Sequence, residues 1–252
     1  VSVRFVTSPA VILKRSDYSD TSLLVTAFSR DLGKVRLIAK GARRRKSPFA
    51  GLIDPLSHVE LVAIPGRGDL YTLTECSPLG EAPRLRDELG RLSAALFVLA
   101  LVDETQIDDD PQPDVFDLLV EALTRLDAVK NVPALLFAFQ LRLIALSGYR
   151  LELDRCLADG EPLGGAGFFS PAHKGFLCRP CSRGLAGRGV SPGAFNLLKR
   201  LNETPLERVE RVRISQAQTT ELARLFDLVL ATFLEKKLTV TGIIRKLGAP
   251  RG

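Results

Sequence analysis

Histidine occurs only twice, at His58 and His173, cysteine four times and methionine not at all. The common catalytic signatures are missing too. There is no His-Glu-x-x-His helix, no Gly-x-Ser-x-Gly elbow, no Gly-rich phosphate loop ending in Lys-Ser/Thr and no dinucleotide fingerprint. His58 opens a strand-like stretch and reads as a surface or satisfied residue, not as a general base. The chain is therefore expected to bind and not to catalyse. No apolar run approaches the ~18 residues that span a bilayer. The N-terminus lacks the charged, apolar and small-residue succession of a signal peptide. Four cysteines, three of them late in the chain, do not match the dense, even spacing of a secreted disulfide scaffold. Together these absences lead to the expectation of a cytoplasmic protein. The missing methionine, even at position 1, carries no functional information. Hydrophobic content of 46% and charged content of 25% suit an ordinary globular chain able to bury a core.

A local absence is more informative. From Gly33 to Ser47 (GKVRLIAKGARRRKS) there is no acidic residue, while Lys34, Arg36, Lys40, Arg43, Arg44, Arg45 and Lys46 are basic. The chain has 35 Lys and Arg against 29 Asp and Glu; these seven set aside, 28 cations face 29 acids. The net positive charge thus sits in one stretch. Val35, Leu37 and Ala39 alternate with Lys34, Arg36, Ile38 and Lys40, so a strand would carry three cations on one face. Gly41 permits a turn, and a tetrabasic run follows before Pro48. A solvated charged surface is the ordinary fate of such a run. Seven mutually repelling cations without an interleaved acid favour a polyanion partner instead, because each cation set against a phosphate releases counterions. The stretch holds no aromatic residue, so base stacking would have to come from Tyr71 or Phe49, or be absent.

The remainder divides by periodicity. Val11–Leu13, Ser22–Ser29, Lys34–Lys40, His58–Ile64 and Leu70–Cys76 read as five short strands separated by turn residues, which suggests a closed barrel of the oligonucleotide-binding type over residues 1–80. Within Pro65–Asp69 (PGRGD) the glycines Gly66 and Gly68 read as hairpin chemistry. Beyond Pro83 the period becomes helical, with Leu85, Leu89, Leu92, Leu96 and Leu99 as a stripe. Asp103–Asp117 carries seven acids and no base, and reads as a solvated loop opening a helix from about Asp114 to Leu126. Asn131 caps another helix, with Pro133 in its first turn, Leu136, Phe139, Leu143 and Leu146 along one face and Gly148 as its stop. Ser191 and Pro192 open a fourth, and a last helix runs from about Thr219 to Lys236. The apolar stripe of that last helix marks the helical region as the expected place for a protein partner. The expected fold is thus α+β and multidomain, with residues 81–252 helical apart from 149–190.

Residues 149–190 contain eight glycines, little periodicity and three cysteines. Cys178 and Cys181 form Cys-x-x-Cys, and Cys156 opens Cys-x-x-Asp, the spacing of two facing knuckles that hold structural zinc. Asp159 stands where a fourth thiolate would; His173 is the rival fourth ligand. Zinc is expected as the tie of a segment with so few apolar residues. Three cysteines packed as small hydrophobes is the simpler alternative. Cys76 lies in the barrel pattern and reads as core.

Tyr18–Asp20, Thr26–Ser29, Gly33 and above all Ala39–Ser47 (AKGARRRKS) resemble the bacterial RecO family of recombination mediators. The resemblance continues in order through Pro55 and Leu56, through Phe116, Leu118 and Leu119, and through Leu143–Leu153 followed by Cys156. It covers nearly the whole chain; Asp159 in place of a cysteine is its departure. The resemblance implies an N-terminal oligonucleotide-binding barrel, a helical C-terminal domain and an inserted zinc ribbon. It also implies binding of single- and double-stranded DNA, annealing of complementary strands, and work with RecR and RecF to load RecA onto strands covered by single-strand DNA-binding protein in the bacterial nucleoid. From the residues alone, an RNA- or ribosome-associated basic module and a zinc-dependent nucleic-acid enzyme stand as alternatives.

Overall fold

The computed structural model describes residues 5–66, 68–80, 85, 88–234 and 242. The chain divides into two compact units, Val1–Arg84 with Val98–Thr124, and Leu85–Phe97 with Arg125–Gly252. The last barrel strand ends at Pro78 and the first long helix begins at Leu89, while residues 98–124 group with the strands.

In the first unit β1 (Val6–Asp17), β2 (Leu23–Ser29), β3 (Gly33–Ala39), β4 (His58–Pro65) and β5 (Leu70–Pro78) close into a barrel in the order β1-β2-β3-β5-β4. All neighbours are antiparallel except β3 and β5, whose parallel pairing completes the barrel. This is the oligonucleotide-binding architecture expected from the sequence. Strand β1 is far longer than its apolar centre Val11–Leu13, because Thr7–Pro9 pair with β4 and Lys14–Asp17 pair with β2 although they are mostly polar. A hydrophobic pattern reports only the core-facing part of a strand.

Alternation then fills the barrel. Ile12, Val25, Ala27, Val35, Leu37, Val59, Leu61 and Leu73 form its core with Phe49 and Ile53. Strand β2 is buried on both faces. Val25 and Ala27 point inward, and Phe28 meets Phe116 of α2 (Pro113–Ala128) with ring centroids 6.3 Å apart. The β4–β5 hairpin closes through the Gly66 amide, which donates to the Leu70 carbonyl at 2.8 Å, and Gly68 takes φ +66°. Arg67 lies outside the described residues.

The second unit holds α3 (Val132–Leu146), a sheet of β6 (Gly167–Ser170), β7 (Gly175–Leu177) and β8 (Arg188–Val190), then α4 (Pro192–Glu203), a short 3₁₀ helix and α5 (Gln216–Phe233). Asn131 and Ser191 cap their helices as expected, and Gly148 ends α3 at φ +87°. Helix α5 starts earlier than Thr219, where Ser215 and Gln218 form a capping box. Lys236 lies outside the described residues. The stripe expected to offer α5 to a partner is used internally: Leu222, Leu225, Phe226, Val229 and Leu230 are buried, and Phe226 stacks on Phe137 of α3 at 5.3 Å.

One helical face was misread. In α1 (Leu89–Thr105) Leu89 and Leu96 are exposed, while Ala94, Ala95, Val98, Leu101 and Val102 are buried. The run AALFVLALV is apolar almost all round, so leucine spacing alone cannot select the inward side.

Candidate nucleic-acid interface and metal centre

The basic stretch comprises β3 and the loop after it, and the loop is pinned at both ends. Ala39 before it and Phe49 after it are buried in the barrel core. Between them Gly41 takes φ +72°, and amides of Arg44 and Ser47 donate to the carbonyls of Gly41 and Arg44, each at 3.0 Å. Phe49 is therefore an anchor and cannot stack on a base. Tyr71 is half-buried, its hydroxyl bonded to Asp109; burial first and that carboxylate second push its phenol above the usual range.

The seven cations fall into two groups. The Lys34 ammonium donates to the Asp103 carbonyl at 2.8 Å and lies 3.2 Å from the Asp108 carboxylate, its side chain only 15% exposed. Arg36 pairs with Asp69 at 3.4 Å and with Asp108 at 3.7 Å. Arg43 pairs with Asp17 at 3.2 Å and donates to the Ser19 carbonyl at 3.4 Å. Lys40, Arg44, Arg45 and Lys46 are exposed and have no ion pair among the described residues. The cationic strand face anticipated from parity is therefore met by acids that lie, for Lys34 and Asp103, 69 residues further along the chain.

Asp103 and Asp108 belong to the segment read above as a solvated loop. Asp103 also pairs with Lys14 at 2.6 Å, and Asp117 with Arg30 at 3.0 Å, a bond that raises the Arg30 guanidinium. The Asp109 amide donates to the Lys34 carbonyl at 2.9 Å. Gly33 has φ +74° with its α-carbon so close to Asp110 that a β-carbon would stand 2.3 Å from that carbonyl oxygen. The segment thus rests on the outer face of the barrel. There a cavity of about 280 Å³ is lined by Lys14, Thr26, Lys34, Arg36, Asp103 and Asp108, among others. Sequence reading missed this pairing, although seven acids without a base are the numerical counterpart of seven bases without an acid. Changing Asp103 and Asp108 together to Asn should therefore free Lys14 and remove the carboxylates that compete with phosphate for Lys34 and Arg36, although Lys34 keeps the Asp103 carbonyl and Arg36 keeps Asp69. The expected result is a salt dependence of single-strand binding steeper by about 1–2 in the log–log slope, with a loss of roughly 1–3 kcal/mol of stability because Lys34 is largely buried. Salt titration and thermal melting of the double variant check both.

The second cluster is on the β6–β7 side of the other unit. Cys156, Asp159, Cys178 and Cys181 bring their ligand atoms within 4.8 Å of one another. The first knuckle turns through Gly160, whose amide donates to the Cys156 carbonyl at 2.9 Å, and the Leu157 amide ties it to Phe176 of β7 at 3.1 Å. Thiols of Cys181 and Cys178 donate to Asp159 Oδ2 at 3.0 and 3.4 Å. The hydrogen bond to Asp159 pushes the Cys181 thiol far above its ordinary range, and the thiols, Cys181 foremost, hold Asp159 well below the carboxylate range. His173 is placed elsewhere, its Nδ1 3.0 Å from the Ser170 hydroxyl.

Three sulfurs and a carboxylate oxygen at these separations fit a tetrahedral cation, since ligands ~2.3 Å from zinc stand somewhat under 4 Å apart. The four residues could hold a metal ion. The segment also has a small apolar core that its glycines did not suggest. Phe169 and Phe176 are fully buried, and Phe176 packs edge-on against Phe195 of α4 at 5.2 Å. Cys76 borders the barrel core, where burial pushes its thiol up to about 11.

Comparison with known families gives a match over each part of the chain. Residues 3–81 match the model described as Recombination protein O N terminal, and residues 86–241 match Recombination protein O C terminal. A DNA repair protein RecO from Roseiflexus sp. (strain RS-1) is 35% identical over 229 residues, 90% of this chain and 80% of the relative. One from Myxococcus xanthus (strain DK1622) is 33% identical over 208 residues, 81% of this chain and 85% of the relative. One from Syntrophus aciditrophicus (strain SB) is 30% identical over 233 residues, 90% of each.

Proposed function

The chain belongs to the RecO family of DNA repair proteins, and from that premise we propose that it binds single- and double-stranded DNA and anneals complementary strands. The observation that carries this reading is the loop Lys40–Lys46, where the exposed Lys40, Arg44, Arg45 and Lys46 make no ion pair among the described residues and the loop is pinned to the barrel core by Phe49. Such a surface attracts the phosphate backbone without reading bases. Two strands neutralised on one basic surface repel each other less, so complements meet faster and no covalent chemistry is needed. Lys34, Arg36 and Arg43 join the contacts to the extent that phosphate competes with Asp103, Asp108, Asp69 and Asp17.

In the same reading a structural zinc is held by Cys156, Asp159, Cys178 and Cys181. The protein acts in the cytoplasm with RecR, and with RecF, to load RecA onto strands covered by single-strand DNA-binding protein. Annealing of complementary oligonucleotides, followed over a salt titration, tests the core of this. Acceleration over the protein-free rate that fades as salt rises supports it. A rate equal to the protein-free rate at low salt refutes it.

A further inference from the structure

Phosphate contacts alone would treat single strands and duplex alike, apart from charge density, and the basic loop carries no ring to tell them apart. We infer that Tyr18, on the loop joining β1 to β2, is the stacking residue that lets this surface hold an unpaired base. The inference rests on the phosphate-binding reading above and adds to it the recognition of single-stranded nucleic acid.

The position follows from three tethers. Tyr18–Ser22 join β1 to β2, and the turn is closed by the Tyr18 amide donating to the Ser22 carbonyl at 3.1 Å. The Arg43 amide, in the basic loop, donates to the Thr21 carbonyl at 3.1 Å. Its guanidinium pairs with Asp17 at 3.2 Å and donates to the Ser19 carbonyl at 3.4 Å, gripping the chain on both sides of Tyr18. Arg43 is thus a clamp between the hairpin tip and the basic run, and Arg44, Arg45 and Lys46 leave from that clamp.

The ring itself is only partly covered by the fold. Tyr18 is 53% exposed. No hydrogen bond or ring contact of its side chain is found among the described residues. The other strongly exposed aromatic of this unit, Phe5, precedes β1 and so stands at the opposite end of its longest strand. A half-exposed ring tied to a run of free cations has the two parts of a single-strand site: charge for the backbone and a π-face for whichever base lies beside it. Bases inside a duplex are already stacked and present no face to the ring.

The test uses the whole protein and two variants, with an oligothymidylate and a hairpin duplex as probes at fixed salt. Tyr18→Ala should weaken single-strand binding by about tenfold or more and leave duplex affinity and the salt slope unchanged. Tyr18→Phe, which keeps a π-face, should retain single-strand affinity. There is no tryptophan and there are three tyrosines, so intrinsic fluorescence reports tyrosine alone. Oligothymidylate should quench it in the native protein, and in Tyr18→Phe that quenching should disappear while binding persists. Equal losses on single strand and duplex in Tyr18→Ala, unchanged single-strand affinity there, or undiminished quenching in Tyr18→Phe overturns the inference and leaves the phosphate reading standing. Failure of the native protein to bind either probe overturns both.

Discussion

Reversal of Arg44, Arg45 and Lys46 to glutamate is expected to lower affinity for single-stranded DNA on the order of a hundredfold or more at about 0.1 M salt, since three phosphate contacts become three repulsions. Annealing should fall with it. The fold should be unaffected, because these side chains are exposed and make no ion pair among the described residues. Arg43 is deliberately left in place: its bonds to Asp17, Ser19 and Thr21 hold the loop against the β1–β2 hairpin, so its loss would mix a structural effect with an electrostatic one. Binding by titration and melting by circular dichroism separate the two effects. Native affinity in a folded variant would contradict the proposal.

The second large effect concerns the metal. If Cys156, Asp159, Cys178 and Cys181 close around zinc, the native protein should carry about one ion per chain, and Cys178→Ser with Cys181→Ser should carry none. Loss of a closed four-ligand site costs several kcal/mol, which for a chain of this size is on the order of 10 °C in Tm. The effect should be concentrated in the knuckles and spare the β6–β7–β8 sheet, whose Phe169 and Phe176 pack on each other and, through Phe176, on Phe195 of α4. Hydrogen exchange should therefore show loss of protection near residues 156–160 and 178–182, with Phe169 and Phe176 retained. Ligand binding requires the thiols to lose their protons, and Cys181 holds its proton unusually tightly beside Asp159. Metal affinity should accordingly rise with pH through the neutral range. Metal content that is absent in the native protein, or the same in the double variant, would contradict the assignment.

Much of the fold could be read in advance because its signals are local. The strand alternation of β3, the Asn131 and Ser191 caps, the Gly148 stop and the glycines of the PGRGD hairpin are each set by residues a few positions apart. The knuckle spacing is likewise local, and the structure gathers Cys156, Asp159, Cys178 and Cys181 while it leaves His173 with Ser170. What escaped was long-range. Nothing within fifteen residues of Lys34 reveals that Asp103 and Asp108 neutralise it; only the chain's return over the barrel does so. Phe49 follows a basic, proline-marked loop and so reads as a candidate for base stacking, yet it is buried in the barrel core together with Ile53. The leucines of α1 failed for the opposite reason, since a helix buried nearly all round carries no amphipathic contrast.

The division of the cations also changes what a binding experiment should show. Each phosphate neutralised on a single strand contributes about −0.7 to the slope of log affinity against log salt. Seven free cations would give about −5, whereas the four without acidic partners, Lys40, Arg44, Arg45 and Lys46, give about −3.

The most direct test is that slope, measured between roughly 50 and 200 mM salt in the native protein and in the Arg44, Arg45 and Lys46 reversal. A slope of about −3 that collapses toward zero in the variant is the result expected of an outward-facing phosphate surface. An equal slope in both proteins would place the binding charge elsewhere and contradict it.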